Sequence, residues 1–372
     1  MLRSGGVFSV FQGTSTIDVA WPLGDPDSGL IQGGRRVNVR VLILGGTGFI
    51  GARVVHALRG HDVWTYERGQ TGGVSPTTLR GDRAEIARHR DRLERLGVDV
   101  ALDMMPRNGA DARGVLDVLR SVAPRLVAVS SGSVYRVFGR LLGREAGPPE
   151  HTLCDEQAPL RTCLFPYRGA SPRPASDPRC WLDDYDKIPA EEAYLAAGAS
   201  VVRLPMVYGP GDPDRRLAGY LRRMVDGRRA IWLHAAGAAW MNSRSYVENV
   251  AEAIACVVLR GAPGRVYNVA EPEDCSERVW IERIARVVGW RGEVAVAPAS
   301  EQAWARPAIE ELPPEARFEH HVRLDSGRIR RELGFIEPVT APEGLERTVH
   351  AELRAGLPSV DYTREDDFER RA

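Results

Sequence analysis

The sequence predicts an α/β protein, a doubly wound parallel sheet with a smaller α/β domain towards the C-terminus. Three observations support this prediction. Short apolar strands alternate with amphipathic helices, a glycine-rich turn joins the first strand to the first helix, and 372 residues are enough for two parts. Strands that alternate with helices of this length favour a parallel sheet covered by helices on both faces.

The alternation begins near Val37 and continues to residue 269. Short apolar runs bounded by turn residues indicate buried strands, and apolar residues at helical spacing indicate helices. The predicted strands cover residues 39–44, 63–66, 98–104, 126–129, 200–204 and 265–269. The predicted helices are one that contains Ile50, Val54 and Leu58, then 84–96, 110–121, 184–196 and 246–259. Residues 136–182 interrupt the alternation, and a segment of this kind is typically functional or disordered.

Composition argues against several classes of function. Acidic and basic residues balance at 50 each, which disfavours binding to nucleic acid or to an anionic membrane surface. No apolar run approaches the roughly 20 residues of a membrane span. The five cysteines form no CxxC pair and match no zinc spacing, so we expect free thiols, a cytoplasmic location and no metal site.

A glycine-rich turn, Gly-Gly-Thr-Gly-Phe-Ile-Gly, lies between the first predicted strand and the first predicted helix. Glycine permits a tight turn and lets a pyrophosphate approach the backbone, and the start of the helix offers unpaired N–H groups. In this context the motif predicts dinucleotide binding and a Rossmann fold. The residues expected to contact the cofactor are Gly45, Thr47, Gly48, Phe49, Ile50 and Gly51.

Two adjacent residues bear on the choice between NAD and NADP. Glu67, at the end of the second strand, would accept hydrogen bonds from the adenosine ribose, which favours NAD. Arg68 would hold a 2′-phosphate, which favours NADP. We therefore expect NAD or NADP, with a slight preference for NAD. Asp82, which follows Gly81, is a candidate for binding the adenine amine.

Lys187 is the only lysine among the 50 basic residues. Lysine is a compact charge on a flexible stem with a tunable pKa, whereas arginine is a broad and permanently charged fork. A single lysine in an arginine-rich chain therefore indicates a task that arginine cannot perform.

These features resemble the extended short-chain dehydrogenase/reductase superfamily, of the NAD-dependent epimerase/dehydratase type, over residues 39 to about 350. Beyond the glycine turn, the resemblance rests on several stretches that follow in the family's order. They are Ser130-Ser-Gly-Ser-Val-Tyr135, Lys187 ahead of Ala190-Glu-Glu, Arg203-Leu-Pro-Met-Val-Tyr-Gly-Pro210, Arg244-Ser-Tyr-Val-Glu-Asn-Val250, Tyr267-Asn-Val269 and residues 324–334.

The resemblance implies a catalytic serine, tyrosine and lysine. Ser131 would hydrogen-bond the substrate oxygen, and a tyrosine would exchange a proton with that oxygen while hydride moves to or from the nicotinamide. Lys187 would bind the nicotinamide ribose and lower the tyrosine pKa from about 10. Ser131 follows a predicted strand, which is where open α/β sheets place chemistry.

The chain departs from the family at the tyrosine, which usually lies four residues before the lysine. Asp183 occupies that position, and Tyr185 lies two residues before Lys187, a spacing that does not share a helix face. Three explanations are open. Tyr185 reaches the site from an irregular first turn of the helix, Tyr167 supplies the acid from the long segment, or proton transfer is lost or passed to Asp183. We favour Tyr185, so the expected catalytic residues are Ser131, Tyr185 and Lys187.

Ser131 and three further residues are expected to contact the substrate. Met206 stands where sugar-nucleotide enzymes of this family usually carry Asn, which argues against a sugar-nucleotide substrate. Arg244 matches a position where relatives hold a substrate phosphate, a task that suits a bidentate guanidinium; the alternative is a structural salt bridge. Arg168 is a second candidate for the same task.

Domain boundaries follow from these assignments. Residues 37–208 and 244–272 should form the NAD(P)-binding domain, and residues 209–243 and 273–356 the substrate domain. Residues 1–36 are expected to be a disordered extension or the product of a start codon placed too far upstream. Residues 357–372 are expected to be a solvated charged tail.

The main hypothesis is an NAD(P)-dependent oxidoreductase of the epimerase/dehydratase type that acts on a secondary alcohol or ketone of a small polar metabolite, a class that includes nucleotide sugars. One alternative is a catalytically atypical NAD(P)-binding protein, a redox sensor or RNA-binding protein, as in family members that lack the tyrosine. Another is a natural-product ketoreductase. Relatives often dimerise through helices equivalent to 110–121 and 184–196, so a homodimer is a further expectation.

Overall fold

The computed structural model describes residues 38–69, 77–150, 152–169, 171–301, 303–309 and 312–371. Of the first 37 residues it describes only the backbone of two antiparallel pairs, Val7–Gln12 with Ser15–Ala20 and Ile31–Gln32 with Arg35–Arg36. The rest of that segment lies outside the described residues, and the expectation for it stays a prediction.

In the described part of the chain, seven strands form one parallel sheet, which confirms the predicted doubly wound α/β fold. The strands are β1 Arg40–Leu44, β2 Asp62–Glu67, β3 Thr77–Arg80, β4 Val100–Asp103, β5 Arg125–Ser131, β6 Ser200–Leu204 and β7 Val266–Asn268. Their order is β7-β6-β5-β4-β1-β2-β3. The order reverses between β4 and β1, and the crevice at the carboxyl ends of these two strands is where open sheets bind ligands.

Helices cover both faces of the sheet. Within the described residues they are α1 Gly51–Ala57, α2 Arg90–Glu94, α3 Gly109–Val122, α4 Arg136–Leu141, α5 Lys187–Ala196, α6 Ala218–Val225, α7 Ala235–Ala239, α8 Val247–Arg260, α9 Glu277–Val288, α10 Gly327–Leu333, α11 Ala341–Ala355 and α12 Thr363–Glu369. Alternate residues of a strand point to opposite faces. Val41 and Ile43 therefore join the apolar core beneath α1 and α8, whereas Leu42 and Leu44 join the core beneath α3 and α5.

The structure differs from the predicted elements in two places, at strand β3 and at the start of α5. Strand β3 was not predicted, because it is a short edge strand with a single buried leucine, Leu79. The helix predicted over 184–196 begins only at Lys187, because Asp186 is extended and its carboxylate caps the helix by accepting a hydrogen bond from the Ile188 amide, at 3.0 Å. Tyr185 precedes the helix in an extended conformation. A helix that begins near Asp184 and carries Tyr185 in its first turn is therefore wrong.

The C-terminal half adds two small parallel pairs beside the main sheet. Strand Met206–Tyr208 pairs with Arg244–Tyr246, and strand Ala230–His234 pairs with Glu293–Ala297. Helices α6, α7, α9 and α11 pack around them. This arrangement fits a smaller α/β unit, while the exact boundaries between the two domains stay a prediction.

The segment between α4 and α5 has little regular structure, but its described part is held by buried or half-buried ion pairs. Arg140 binds Glu150, Arg161 binds the fully buried Asp186 at 3.0 Å, and Arg173 binds Asp183. Such pairs can position an irregular segment because removal of either partner leaves a charge buried.

The charged C-terminal run is not a solvated tail over residues 363–369, which form α12. Phe368 is buried against the rings of Trp232 and Trp304, at centroid distances of 4.9 and 5.7 Å. Glu365 binds Arg223 and Asp366 binds Arg228. The charges that favoured a solvated tail are the partners of arginines elsewhere in the chain.

Within the described residues, no helix has the length and apolar character needed to cross a membrane. All five cysteines lie in the described part of the chain and are free thiols.

Substitution of Phe368 tests the docking of α12. Phe368→Ala should lower the free energy of unfolding by about 2–4 kcal/mol, because a buried aromatic ring is lost from the contact with two tryptophans. Arg370→Ala, which removes a solvent-exposed pair with Asp367, should change it by less than about 1 kcal/mol. Urea denaturation of both variants measures the difference, and equal stabilities would show that α12 does not contribute to the fold.

Candidate active site

The glycine turn leads from the end of β1 to α1, beside the point where strand order reverses. Gly45 has φ of +91°, a conformation that glycine adopts without strain. A Cβ on Gly51 would lie 2.2 Å from the Gly45 carbonyl oxygen, so the turn closes too tightly for any side chain there. A Cβ on Gly48 would meet no atom within 4 Å among the described residues. The turn is thus tight at its ends and open at Gly48, as a backbone that receives a phosphate must be.

The remaining residues predicted for the turn surround this opening. Thr47, Phe49 and Ile50 are half-buried. The Arg53 guanidinium donates to the Phe49 carbonyl at 2.6 Å and so links the turn to the first turn of α1. These positions are compatible with cofactor contact, which stays a prediction for each of the three side chains.

Glu67 ends β2 with its carboxylate buried. Among the described residues its Oε2 has no hydrogen-bond partner, which is costly for a buried oxygen. Ribose hydroxyls would supply the missing donors, so the residue fits an NAD-type adenosine. Arg68 is exposed. Asp82 is also exposed, and its Oδ1 accepts the Ala84 amide at 2.8 Å as a cap, so part of its hydrogen-bonding capacity is already used.

Lys187 is buried at the start of α5, with only 6% of its surface exposed. Its Nζ donates to the Val129 carbonyl on β5 at 3.0 Å. Burial lowers the pKa of Lys187 to about 8, against the opposing charge of Asp103. The lysine is therefore held against the strand that ends in Ser131, in a surrounding where its proton is readily lost.

A buried network around Asp103 was not predicted. Asp103 ends β4 and accepts two bonds of 2.6 Å from Arg83 as well as one from the Tyr194 hydroxyl. Burial alone would raise the pKa of Asp103, but the Arg83 charge and the hydrogen bonds from Arg83, Tyr194 and the Met105 amide together lower the pKa below its usual value. The sequence offers no local signal for this network, because its members are 20 and 91 residues apart.

Ser131 lies at the carboxyl end of β5, and its Oγ accepts the Ser133 amide at 3.2 Å. Both serines line a cavity of about 150 Å³ that opens to solvent. The wall also includes Tyr167 from the long segment and Met206 after β6. Two predicted residues, Ser131 and Met206, thus lie together at the mouth of the sheet. The carboxyl edge of an open α/β sheet is where such folds bind ligands, so this cavity is the candidate substrate site.

The two tyrosines proposed for proton transfer lie against each other, with ring centroids 5.7 Å apart. The Tyr185 ring centroid lies 5.6 Å from the Nζ of Lys187, and the ring also contacts Trp181. Among the described residues that line the cavity, Tyr167 is present and Tyr185 is not. Burial raises the pKa of Tyr185 above its usual range.

Two predicted substrate contacts lie outside the described cavity wall. Arg244 is buried, binds Glu277 and the Asn242 carbonyl, and stacks on Trp280 with 4.7 Å between the guanidinium and the ring centroid. It therefore forms the structural salt bridge that was the alternative. Arg168 lies outside the cavity wall, over the Phe165 ring, where it donates to the Asp183 carbonyl at 2.8 Å.

Sequence reasoning missed Arg216, Asn242 and Ser133, all of which line the cavity. Arg216 is the charged residue of the described wall, and it also binds Asp212 at 2.7 Å. Ser133 lies inside the family stretch 130–135, and Asn242 lies two residues before the stretch that begins at Arg244. The sequence therefore contained a signal close to both residues. Arg216 lies in a loop after Pro210 and had none.

Comparison with known proteins finds the same architecture in sugar-nucleotide enzymes. The family model of the NAD dependent epimerase/dehydratase family matches residues 188–270. A dTDP-glucose 4,6-dehydratase from Streptomyces griseus is 25% identical over 299 residues, which is 79% of each chain. The structure of DesIV, a dTDP-glucose 4,6-dehydratase from Streptomyces venezuelae with NAD and TYD bound, is 19% identical with a TM-score of 0.60, over 85% of this chain and 97% of that one.

A second structure, the UDP-glucose 4-epimerase of Thermus thermophilus in complex with NAD, is 20% identical with a TM-score of 0.58, over 86% of this chain and all of that one. Strand order and the glycine turn at the reversal point define the class as Rossmann-type α/β proteins. Within that class, the match of residues 188–270 to the NAD dependent epimerase/dehydratase family model and the similarity to a dTDP-glucose 4,6-dehydratase support the resemblance seen in the sequence.

Gly48 and Gly51 separate cofactor binding from folding. Gly48→Ala should leave the free energy of unfolding within about 0.5 kcal/mol of wild type, because its Cβ meets open space, yet weaken NAD binding at least about tenfold by blocking a phosphate. Gly51→Ala should lose both stability and binding, because its Cβ meets the Gly45 carbonyl. Calorimetric titration with NAD and urea denaturation test both, and unchanged NAD affinity in Gly48→Ala would contradict the assigned phosphate site.

Proposed function

We propose that the protein is an NAD-dependent enzyme of the epimerase/dehydratase type that acts at a secondary alcohol or ketone of a nucleotide sugar. The observation that carries the proposal is the placement of Ser131 in the cavity wall while Lys187 is bonded to Val129 on the same strand. Relatives named as dTDP-glucose 4,6-dehydratase and UDP-glucose 4-epimerase support the substrate class. Met206, which lines the cavity, argues against this substrate class on the family pattern, and the similarity to these relatives outweighs it in the proposal.

Several residues of this chain suit a nicotinamide dinucleotide. The open backbone at Gly48 would receive the pyrophosphate, and the Glu67 oxygen that has no partner among the described residues would bind the adenosine ribose. A 2′-phosphate next to that carboxylate would be repelled, so we propose NAD rather than NADP. When bound, the nicotinamide supplies the acceptor and donor of hydride.

The protein's own groups would handle the proton and the oxygen. Ser131 would donate a hydrogen bond to the substrate oxygen and so fix the reacting carbon. Lys187, with its pKa lowered to about 8 by burial, would provide a positive charge on this side of the cavity that favours ionisation of a nearby phenol. The proton itself would pass to a tyrosine of the pair Tyr167 and Tyr185.

The first experiment identifies the nucleotide that copurifies with the protein, released by acid and measured by mass spectrometry. Stoichiometric NAD that does not exchange would support an epimerase or dehydratase, which returns the hydride to its own product. NAD that rebinds and exchanges would support a reductase or dehydrogenase. Binding of neither NAD nor NADP would refute the proposal.

Turnover is then measured with dTDP-glucose and UDP-glucose, with product detected by mass spectrometry. Lys187→Arg should lower kcat by at least about 100-fold, because a guanidinium is too broad for the ribose hydroxyls and cannot adjust its pKa. NAD titration of the same variant reports whether the cofactor still binds. Full turnover by Lys187→Arg with NAD bound would contradict the mechanism.

Lys187→Met tests the energetic cost of the buried lysine. The lysine pKa is about 8 in the folded protein and about 10.4 when unfolded, so below pH 8 the buried charge destabilises the fold by roughly 3 kcal/mol, partly offset by its hydrogen bond to Val129. Lys187→Met should therefore be more stable than wild type by about 1–2 kcal/mol at pH 7. The advantage should shrink as pH rises from about 8 to 10, since the unfolded chain then holds the extra proton. Urea denaturation across this range measures it, and a less stable variant at pH 7 would contradict the account.

A further inference from the structure

We infer that Tyr167, from the long segment between α4 and α5, is the catalytic tyrosine that exchanges a proton with the substrate oxygen. The inference rests on the proposed function and names the residue that takes the place of the tyrosine missing four positions before Lys187. Three independent observations support it. They are the position of the ring in the cavity wall, the anchoring of its segment by Asp183 and Asp186, and a strained backbone next to it.

Tyr167 shares the cavity wall with Ser131, the residue proposed to bind the substrate oxygen. Its ring is half-buried and packs edge to face on Phe138, with a centroid distance of 5.9 Å. Tyr185 lies behind it, in contact with both Tyr167 and the charge of Lys187, but not in the described part of the wall. A substrate in the cavity would therefore meet Tyr167 first.

Asp186 ties the segment to the start of α5. Its carboxylate binds Arg161 at 3.0 Å, with both side chains fully buried, and accepts the Phe165 amide at 2.6 Å. The same carboxylate caps α5 through Ile188. The residue next to Lys187 thus fixes the backbone two residues before Tyr167, so the two functional groups are held in one unit.

Asp183 anchors the other side of Tyr167. Its carboxylate binds the Arg173 guanidinium and accepts the Arg173 amide at 2.6 Å. Arg173 in turn donates to the Tyr167 carbonyl at 3.0 Å. The position that holds a tyrosine in the family therefore holds a carboxylate here, and that carboxylate acts through Arg173 on the backbone of Tyr167. Asp183 itself lies outside the described cavity wall, which argues against it as the proton donor.

Phe165 has φ of +52°, a left-handed conformation that is unfavourable for an aromatic residue. Such strain persists only where surrounding contacts impose it, and it is concentrated at functional sites. Here the contacts are the Asp186 bond to the Phe165 amide and the Arg168 guanidinium over the ring, 4.0 Å from its centroid. The bend turns the chain so that Tyr167 enters the cavity wall.

The proton transfer balances with NAD as the oxidant. When an alcohol is oxidised, the C–H bond breaks with its electron pair, which passes as hydride to NAD⁺ and yields NADH. The O–H bond breaks as its proton passes to the Tyr167 phenolate, and a C=O bond forms. In the reverse direction Tyr167 returns the proton to the oxygen. Tyr185, whose pKa is raised by burial, keeps its proton and acts as a positioning residue between Lys187 and Tyr167.

The test compares Tyr167→Phe with Tyr185→Phe, which remove one oxygen each from neighbouring rings. With NAD and the probes dTDP-glucose and UDP-glucose, Tyr167→Phe should lower kcat by at least about 100-fold and leave KM within about threefold, because an acid–base group is lost and the ring remains. In the wild type, kcat should rise with pH as the catalytic phenol ionises. Tyr167→Phe should abolish this rise. Tyr185→Phe should lower kcat by less than about tenfold and keep that rise. NAD titration and thermal unfolding confirm that both variants are folded.

Loss of turnover in Tyr185→Phe with full turnover in Tyr167→Phe would overturn the assignment and leave the proposed function intact. A wild-type protein that binds NAD but converts neither probe, nor any alcohol or ketone of a wider nucleotide-sugar panel, would overturn the proposed function and the role of Tyr167 with it.

Arg173 variants test the positioning of the segment. Arg173→Ala should lower kcat by about tenfold or more with KM nearly unchanged, and Arg173→Lys should restore part of the loss, because a single donor can reach either Asp183 or the Tyr167 carbonyl. The kcat rise with pH should persist in both, since the phenol remains. Wild-type kcat in a folded Arg173→Ala would overturn the anchoring argument.

Discussion

The contact on which the site depends is the buried carboxylate of Asp186. It starts α5 by capping Ile188, binds Arg161 in a fully buried ion pair, and accepts the Phe165 amide. Three partners satisfy one carboxylate, so its charge is compensated although it is fully buried. Because Lys187 follows directly in the chain, the same residue fixes where the lysine leaves the backbone. The irregular segment and the regular helix therefore share one anchor.

Other buried arginine–carboxylate pairs repeat this arrangement around the sheet. Arg203 binds Glu191 on α5, and Arg83 binds Asp103 at the end of β4. A planar guanidinium that donates to both oxygens of a carboxylate suits such sites, since the pair remains charged and its geometry is defined. Removal of one partner from a buried pair typically costs about 3–5 kcal/mol. The arginine-rich composition is thus used to fix the elements that carry Ser131 and Lys187.

The sheet and the glycine turn could be predicted because their signals are local. Buried parallel strands are continuous apolar runs, and the turn requires glycines at fixed spacing. The salt bridge of Arg244 could not be predicted in this way, because its partner Glu277 lies 33 residues away in the sequence. The position of Arg244 in the family pattern was equally compatible with phosphate binding. Helix α12 was missed for a similar reason, since a run of charged residues predicts a solvated tail only when no distant part of the chain pairs with those charges, and here Arg223 and Arg228 do. The start of α5 was misplaced because the cap at Asp186 was taken for part of the helix.

The surroundings of the single lysine differ from those of these buried arginines. Arg161, Arg83 and Arg203 each face a carboxylate, and their charges are permanent. Lys187 instead faces a backbone carbonyl, and burial brings its pKa to about 8, where its charge responds to a ligand or to a neighbouring phenol. A residue kept for stability alone would be better as an apolar side chain or as a paired arginine at this depth. The fold therefore tolerates an unfavourable buried amine at a place where a removable proton would be useful, on the strand that ends in Ser131 and beside Tyr185.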